Sequence, residues 1–128
     1  MDMPATIIVV DDEEELRENL QDLLEFKGYN VVTFATGEDI LANYESAHPD
    51  LVLLDIQLPG IDGLEVLGKI REKYSKEALP IAMVSASSIR SVLAQAEDSG
   101  ANTTVLKPYS LNDMLSTVTT LLGSKAEQ

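Results

Sequence analysis

Hydrophobic residues follow two different patterns along the chain. Five short runs of apolar or β-branched residues predict strands at Thr6–Val10 and at residues 31–34, 51–54, 81–84 and 104–106. The run at residues 51–54 is wholly apolar and closes on turn residues, which is typical of a strand buried on both faces of a parallel sheet.

The segments between these runs have the period of amphipathic helices. The first predicted helix starts at Glu13 and stops at Gly28, and the last is followed by a short polar tail over residues 123–128. The predicted apolar faces contain, in chain order, Leu16, Leu20, Leu23 and Leu24; Ile40, Leu41 and Tyr44; Leu64, Leu67, Ile70 and Tyr74; Ile89, Val92, Leu93 and Ala96; and Leu111, Met114, Leu115, Val118, Leu121 and Leu122. Thr36 and Ser110 have capping-box spacing to the acids three residues later.

This alternation of strands and helices predicts an α/β fold. Five strand-helix units favour a doubly wound, five-stranded parallel sheet flanked by five helices, because right-handed crossovers place helices on both faces. The flavodoxin-like strand order 2-1-3-4-5 suits units of this size and puts the switch point between strands one and three. Residues 1–128 are predicted to form a single domain without an internal linker.

Composition narrows the classes of function. The chain carries 22 acidic and 9 basic residues, a net charge of −13, so binding to nucleic acid or to an anionic membrane is not expected. Cysteine is absent, which excludes disulfides and thiolate chemistry. With no signal peptide or apolar stretch of membrane-spanning length in the sequence, we expect a cytoplasmic protein.

Polar side chains stand at the ends of four predicted strands. Asp11 and Asp12 follow the first, Asp55 the third, Ser85 the fourth and Lys107 the fifth. Parallel strands bring these ends to one sheet edge, where ligands bind in open α/β folds. Three crowded carboxylates need a cation among them, and oxygen ligands favour Mg²⁺. The lysine and the hydroxyl would suit an anionic phosphoryl group, for which an aspartate can be the nucleophile.

A simpler interpretation exists for each acid. Aspartate is a common turn former, so Asp55 alone would be assigned to a turn after its strand. Glu13, Glu14 and Glu15 are best explained as acids favoured in the first turn of a helix. The combination of Asp11, Asp12 and Asp55 with a lysine at the same edge favours the metal site instead.

The motifs together resemble the response-regulator receiver domain of two-component signalling. They are VVDD at residues 9–12, PDLVLLDIQLPGIDG at 49–63, SA at 85–86, GA at 100–101 and KP at 107–108, and they extend over essentially the whole chain. The resemblance implies that residues 1–128 are a receiver domain resembling the chemotaxis regulators, and that a histidine kinase or histidine phosphotransfer protein phosphorylates Asp55.

The resemblance also implies a role for each site residue. Asp11, Asp12, Asp55 and the backbone carbonyl of Gln57 would hold Mg²⁺. Ser85 would hydrogen-bond the phosphoryl oxygen and carry the switch, and Lys107 would pair with that oxygen. A cis peptide bond is expected between Lys107 and Pro108.

The implied output is a protein contact, with a downstream protein target or a fused output domain, through the face of the fourth helix, fifth strand and fifth helix. Such a domain catalyses only its own phosphorylation and dephosphorylation. Thr104 departs from the family, which most often has an aromatic residue there, and so leaves open an interaction module that does not use phosphate. A Mg²⁺-dependent aspartyl phosphatase is a further alternative, but that class needs an acid where this chain has Gln57.

Overall fold

The computed structural model describes residues 4–126, and the side chains of residues 4–123. Five strands and five helices alternate along this part of the chain. They are β1 Thr6–Val10, α1 Glu14–Phe26, β2 Asn30–Phe34, α2 Gly37–Ala47, β3 Leu51–Asp55, α3 Gly63–Arg71, β4 Ile81–Ser85, α4 Arg90–Asp98, β5 Thr103–Leu106 and α5 Leu111–Ala126. None of the helices described is long and apolar enough to cross a lipid bilayer.

The strands form one parallel sheet in the order β2-β1-β3-β4-β5, which confirms the predicted architecture. Val10 lies opposite Leu54, and Ser85 lies opposite Leu106. Because the strands are parallel and closely in register, β1, β3, β4 and β5 end at the same edge. This edge is the one at which the sequence predicted the functional residues.

The core lies on both sides of the sheet, and β3 is buried along its full length. Val52 and Leu54 pack with α2, α3 and α4, whereas Leu51 and Leu53 pack with α1 and α5. Burial on both faces explains why β3 is continuously apolar rather than alternating. Met83 in β4 and Met114 in α5 are fully buried.

The predicted helix starts are largely confirmed. Thr36 Oγ1 accepts a hydrogen bond from the backbone N–H of Asp39 at 3.1 Å, and Ser110 Oγ accepts one from Asp113 at 3.0 Å. These bonds satisfy backbone donors that the first turn of a helix leaves unpaired. Gly28, just past α1, has φ +98°, as expected for a glycine that ends a helix.

Two predicted helix ends are wrong. The third helix was expected to include Tyr74 but ends at Arg71. The Arg71 guanidinium donates hydrogen bonds to the carbonyl oxygens of Tyr74 and Leu79, which stabilise a non-helical path of the chain after Arg71. The polar tail expected from Gly123 is instead helical through Ala126. A glycine without a left-handed conformation weakens a helix without ending it. The last two positions of the expected tail lie outside the described residues.

Ile89 and Leu111 were also placed wrongly. Both were assigned to apolar faces, yet their exposed fractions are 62% and 53%. Ile89 is the N-cap of α4 and Leu111 is the first residue of α5, so both lie where a helix begins, at the carboxyl edge of the sheet. Helical period alone does not say where the sheet stops.

Gly63 brings α3 unusually close to the site strand. A Cβ atom at Gly63 would collide with the carbonyl oxygen of Asp55, and the Gly63 N–H donates to the Ile56 carbonyl at 2.8 Å. Only a residue without a side chain allows this approach. Gly68, one and a half turns later in α3, has open space where its Cβ would lie.

These two glycines are expected to respond in opposite ways to alanine. Gly63→Ala should lower the free energy of unfolding by about 1–3 kcal/mol because the new methyl group forces the backbone of β3 or α3 to move. Gly68→Ala, the matched control in the same helix, should raise it by roughly 0.5–1 kcal/mol through helix propensity. Urea unfolding of both variants measures this. Equal effects would contradict the close approach.

Candidate functional site

Three carboxylates meet at the carboxyl edge of the sheet. Asp11, Asp12 and Asp55 each place one oxygen within 4.8 Å of the others. Asp11 and Asp55 are buried and Asp12 is exposed. The register of β1 beside β3 produces this cluster, since each strand delivers its terminal acid to the same point. The structure thus brings together the acids that the sequence singled out.

Lys107 joins the two buried carboxylates. Its Nζ donates to Asp55 Oδ2 at 2.7 Å and to Asp11 Oδ2 at 3.1 Å, and lies 3.7 Å from Glu13 Oε1. Distances this short indicate charge-assisted hydrogen bonds. Removing a carboxylate from water is costly unless it is paired, so Lys107 offsets part of the cost of burying Asp11 and Asp55.

Burial and hydrogen bonding shift the pKa values of Asp55 and Lys107. Burial raises the pKa of Asp55, and the hydrogen bonds from Lys107 and from the Gln57 N–H only partly oppose that increase. Burial alone would lower the pKa of Lys107, but its hydrogen bonds to Asp55 and Asp11 outweigh burial and raise it. Lys107 is therefore charged at neutral pH, and its charge stabilises the buried carboxylates of Asp11 and Asp55.

The backbone around Asp11 and Asp55 orients both side chains. Asp11 Oδ1 accepts from the Glu13 N–H at 2.9 Å, and Asp55 Oδ1 accepts from the Gln57 N–H at 2.9 Å. Each buried carboxylate thus has one oxygen held by its own loop and the other by Lys107. Among the residues described, nothing donates a hydrogen bond to the carboxylate of Asp12, which leaves its oxygens available to a ligand.

Ser85 reaches the same edge, where its hydroxyl is hydrogen-bonded to Ser87. The residue is fully buried, its Oγ donates to the Ser87 carbonyl at 3.1 Å, and it accepts from the Ser87 N–H at 3.0 Å. The Ser85 carbonyl accepts from the Lys107 N–H at 2.7 Å, which ties the end of β5 to β4. The hydroxyl is therefore engaged by its own loop.

Two residues near the site were missed by the sequence reasoning. Arg17 donates to the backbone carbonyl of Asp11 at 2.7 Å, and Tyr109 lies beside the cluster. The pKa of Tyr109 is raised, first by burial and then by the negative charge of Asp11. Sequence position offered a weak signal for each, since Arg17 falls in the first turns of α1 and Tyr109 follows Lys107 and Pro108.

The peptide bond between Lys107 and Pro108 is cis, as the resemblance implied. Thr104 is half-buried on β5 and lines a cavity of about 320 Å³ with Leu93 and Ala101. No aromatic ring occupies that position of the strand. Thr104 therefore has a smaller side chain than the aromatic residue that the family most often has at this position.

The ligand atoms of the cluster suit a hard cation. Asp11, Asp12 and Asp55 offer only carboxylate oxygens, and no nitrogen or sulfur ligand is among the group. All-oxygen sites favour cations such as Mg²⁺ or Ca²⁺ over softer metals. Three carboxylates against the single charge of Lys107 leave the cluster negative, so the residues present fit a divalent cation.

Comparison with known proteins gives the same family throughout. The family model described as the response regulator receiver domain matches residues 7–119. The response regulator MprA of Mycolicibacterium vanbaalenii is 37% identical over 120 residues, which are 94% of this chain and 51% of that protein. The alkaline phosphatase synthesis transcriptional regulatory protein PhoP of Bacillus subtilis is 37% identical, over 94% of this chain and 49% of its own length. The chain thus spans about half the length of these relatives.

Solved structures agree. A CheY-like response regulator receiver domain protein from Methanospirillum hungatei superposes with a TM-score of 0.89 at 28% identity, covering 98% of this chain and 100% of the other. The response regulator protein TrrA of Thermotoga maritima, in complex with Mg²⁺-BeF, has a TM-score of 0.81 at 39% identity, covering 92% of this chain and 99% of that one. This chain belongs to the receiver domains of two-component response regulators.

Proposed function

We propose that Asp55 accepts a phosphoryl group from a histidine kinase or a histidine phosphotransfer protein. The observation that carries this proposal is the buried Asp55 carboxylate, 2.7 Å from Lys107 and within a cluster of acids at the sheet edge. Perturbed ionisable groups gathered in this way are typical of functional sites. A structural role alone would not need three acids at one point.

In the proposed reaction, an oxygen of Asp55 attacks the phosphorus of a phosphohistidine. The P–O bond forms as the P–N bond breaks, and the imidazole leaves with the electron pair of that bond. Burial raises the pKa of Asp55, so its carboxylate is more basic than an exposed one. Lys107 then pairs with a phosphoryl oxygen. Attack by water on the phosphorus later restores the carboxylate and releases inorganic phosphate.

We assign Asp11, Asp12, Asp55 and the backbone carbonyl of Gln57 as the ligands of Mg²⁺. When bound, Mg²⁺ neutralises charge on the transferring phosphoryl group. The hydrogen bond from the Gln57 N–H to Asp55 supports this assignment because it keeps the backbone of Gln57 beside the carboxylate. The related TrrA structure, which contains Mg²⁺-BeF, supports it as well.

Ser85 is proposed as the switch residue. Its hydroxyl is bonded to both backbone groups of Ser87, so bonding to a phosphoryl oxygen requires it to leave Ser87. Exchange of one set of partners for another gives the loop after β4 two alternative arrangements. With Thr104 in β5, this motion would reach the surface without an inward-turning aromatic ring.

The signal is proposed to leave as a protein contact, to a separate target or to a fused output domain, through the face of α4, β5 and α5. The domain would operate in the cytoplasm, where it meets its phosphodonor. The net charge of −13 argues against direct contact of this domain with nucleic acid or with an anionic membrane. A phosphatase function is disfavoured because Gln57 cannot act as the general acid.

Phosphorylation can be tested directly by intact mass spectrometry. With acetyl phosphate and Mg²⁺, the protein should gain the mass of one phosphoryl group, and Asp55→Asn should gain none because an amide oxygen is a poor nucleophile. Asp62→Asn is the matched control, since Asp62 caps α3 and asparagine caps helices equally well. Chelation of Mg²⁺ should also abolish the adduct.

An adduct that persists in Asp55→Asn would show that another residue is the phosphoacceptor. Absence of any adduct in the folded wild-type protein would favour an interaction module instead. Repeated turnover of phosphomonoesters would favour the phosphatase.

The raised pKa of Asp55 predicts a pH-dependent difference in stability. Between the unfolded pKa of 3.8 and the higher folded pKa, the folded protein binds more protons, so the contribution of Asp55 to stability falls as pH rises and stays lost at neutral pH. Asp55→Asn cannot ionise and should be more stable than wild type at pH 7. The difference should shrink at acidic pH, measured by urea unfolding. A wild type more stable at pH 7 would contradict this.

A further inference from the structure

Arg17 makes a hydrogen bond to the turn that joins β1 to α1. Its Nη1 donates to the backbone carbonyl of Asp11 at 2.7 Å, within the range of charge-assisted hydrogen bonds. Arg17 lies one turn into α1, where its N–H donates to the Glu13 carbonyl at 3.0 Å. The side chain therefore reaches back across the start of the helix to the residue that ends the strand.

The other hydrogen bonds of this turn, including that from the Glu13 N–H to Asp11 Oδ1, do not engage the Asp11 carbonyl oxygen. Asp11 is tied to β2 by its N–H, which donates to the Phe34 carbonyl at 3.2 Å. Glu13, at the N-cap of α1, has no side-chain hydrogen bond to cap the helix. Among the residues described, Arg17 alone donates a hydrogen bond to the Asp11 carbonyl oxygen. Loss of Arg17 would leave a largely buried carbonyl without that partner.

The direction of the turn decides where the acids point. Asp11 is buried against Lys107, whereas Asp12 is exposed and its carboxylate must be aimed by the backbone alone. The carboxylates repel each other, so a turn free to rotate would carry Asp12 away from Asp11 and Asp55. The hydrogen bond from Arg17 to the Asp11 carbonyl acts as a clamp that opposes this rotation.

We propose that Arg17 is a positioning residue for the cation site, which holds the turn so that Asp11 and Asp12 present their oxygens together. This inference rests on the proposed function, because it assumes that the acids bind Mg²⁺. Arg17 acts through the backbone and touches neither the metal nor the phosphoryl group.

The positive charge of Arg17 and its hydrogen bond to the Asp11 carbonyl should have opposite effects on the affinity for Mg²⁺. A guanidinium near the acids repels a divalent cation, so its charge alone should weaken binding of Mg²⁺. A clamp should strengthen the same binding. Arg17→Gln removes the charge and the clamp, whereas Arg17→Lys keeps the charge and loses the planar fork that reaches the carbonyl. The two explanations therefore predict opposite signs for Arg17→Gln.

The test is the dissociation constant of Mg²⁺, measured by following backbone amide NMR signals of the turn during titration with MgCl₂. Both Arg17→Gln and Arg17→Lys should raise the dissociation constant by about tenfold, the lower end of the effect of outer partners of metal ligands. Arg90→Gln is the matched control, since Arg90 is an exposed arginine in the first turn of α4 at the same edge. It should leave the constant unchanged.

Urea unfolding without metal separates positioning from stability. Tighter binding in Arg17→Gln with no change in Arg17→Lys would show an effect of charge only. Lower stability in both variants with an unchanged dissociation constant would show a structural role only, and either result overturns the proposal.

The wild-type protein separates this inference from the proposed function. Binding of Mg²⁺ without phosphorylation of Asp55 would reject the proposed function while the comparison of Arg17 variants still decides the inference. Phosphorylation of Asp55 with equal Mg²⁺ constants in all variants would reject the role of Arg17 alone. Failure of the wild type to bind Mg²⁺ would overturn both.

Discussion

The structure depends on one electrostatic constraint: buried carboxylates must be neutralised where they lie. Lys107 meets this need by bridging Asp55 and Asp11 with bonds of 2.7 and 3.1 Å. The bridge joins β1, β3 and the end of β5, strands that are not consecutive in the chain. The cluster remains negative, because Asp11, Asp12 and Asp55 supply three carboxylates and Lys107 supplies one positive charge. That negative charge makes the edge receptive to a divalent cation.

The surrounding scaffold combines a strand buried on both faces with a loop held by local hydrogen bonds. β3 is buried on both faces and delivers Asp55 from a fixed position, and the close approach at Gly63 packs α3 directly onto that position. The loop after β4 is different, since Ser85 holds it through hydrogen bonds to Ser87 that other partners can replace. A buried carboxylate on a strand and a hydroxyl that can change partners suit the proposed roles of Asp55 as phosphoacceptor and Ser85 as switch residue, because only the loop needs to move.

The position of the backbone is as important here as the side chains. The carboxylates of Asp11 and Asp55 each accept a hydrogen bond from the backbone N–H two residues later, and the Asp11 carbonyl accepts one from Arg17 in α1. These short turns set the direction of the Asp11 and Asp55 carboxylates. Loops on a rigid scaffold commonly carry function for this reason.

The sequence by itself determined the strands, the alternation with helices and the acids at the strand ends, because these follow from local periodicity and from residue type. The number and size of the strand-helix units favoured the strand order, and the resemblance added the cis bond at Lys107. Tertiary structure alone decided that Ser85 faces Ser87, that Arg17 holds Asp11, and that Ile89 and Leu111 are exposed. The contacts of Ser85 and Arg17 are local in sequence but depend on the direction in which the chain leaves each strand, and the exposure of Ile89 and Leu111 depends on where each helix begins. The period of a single segment encodes neither.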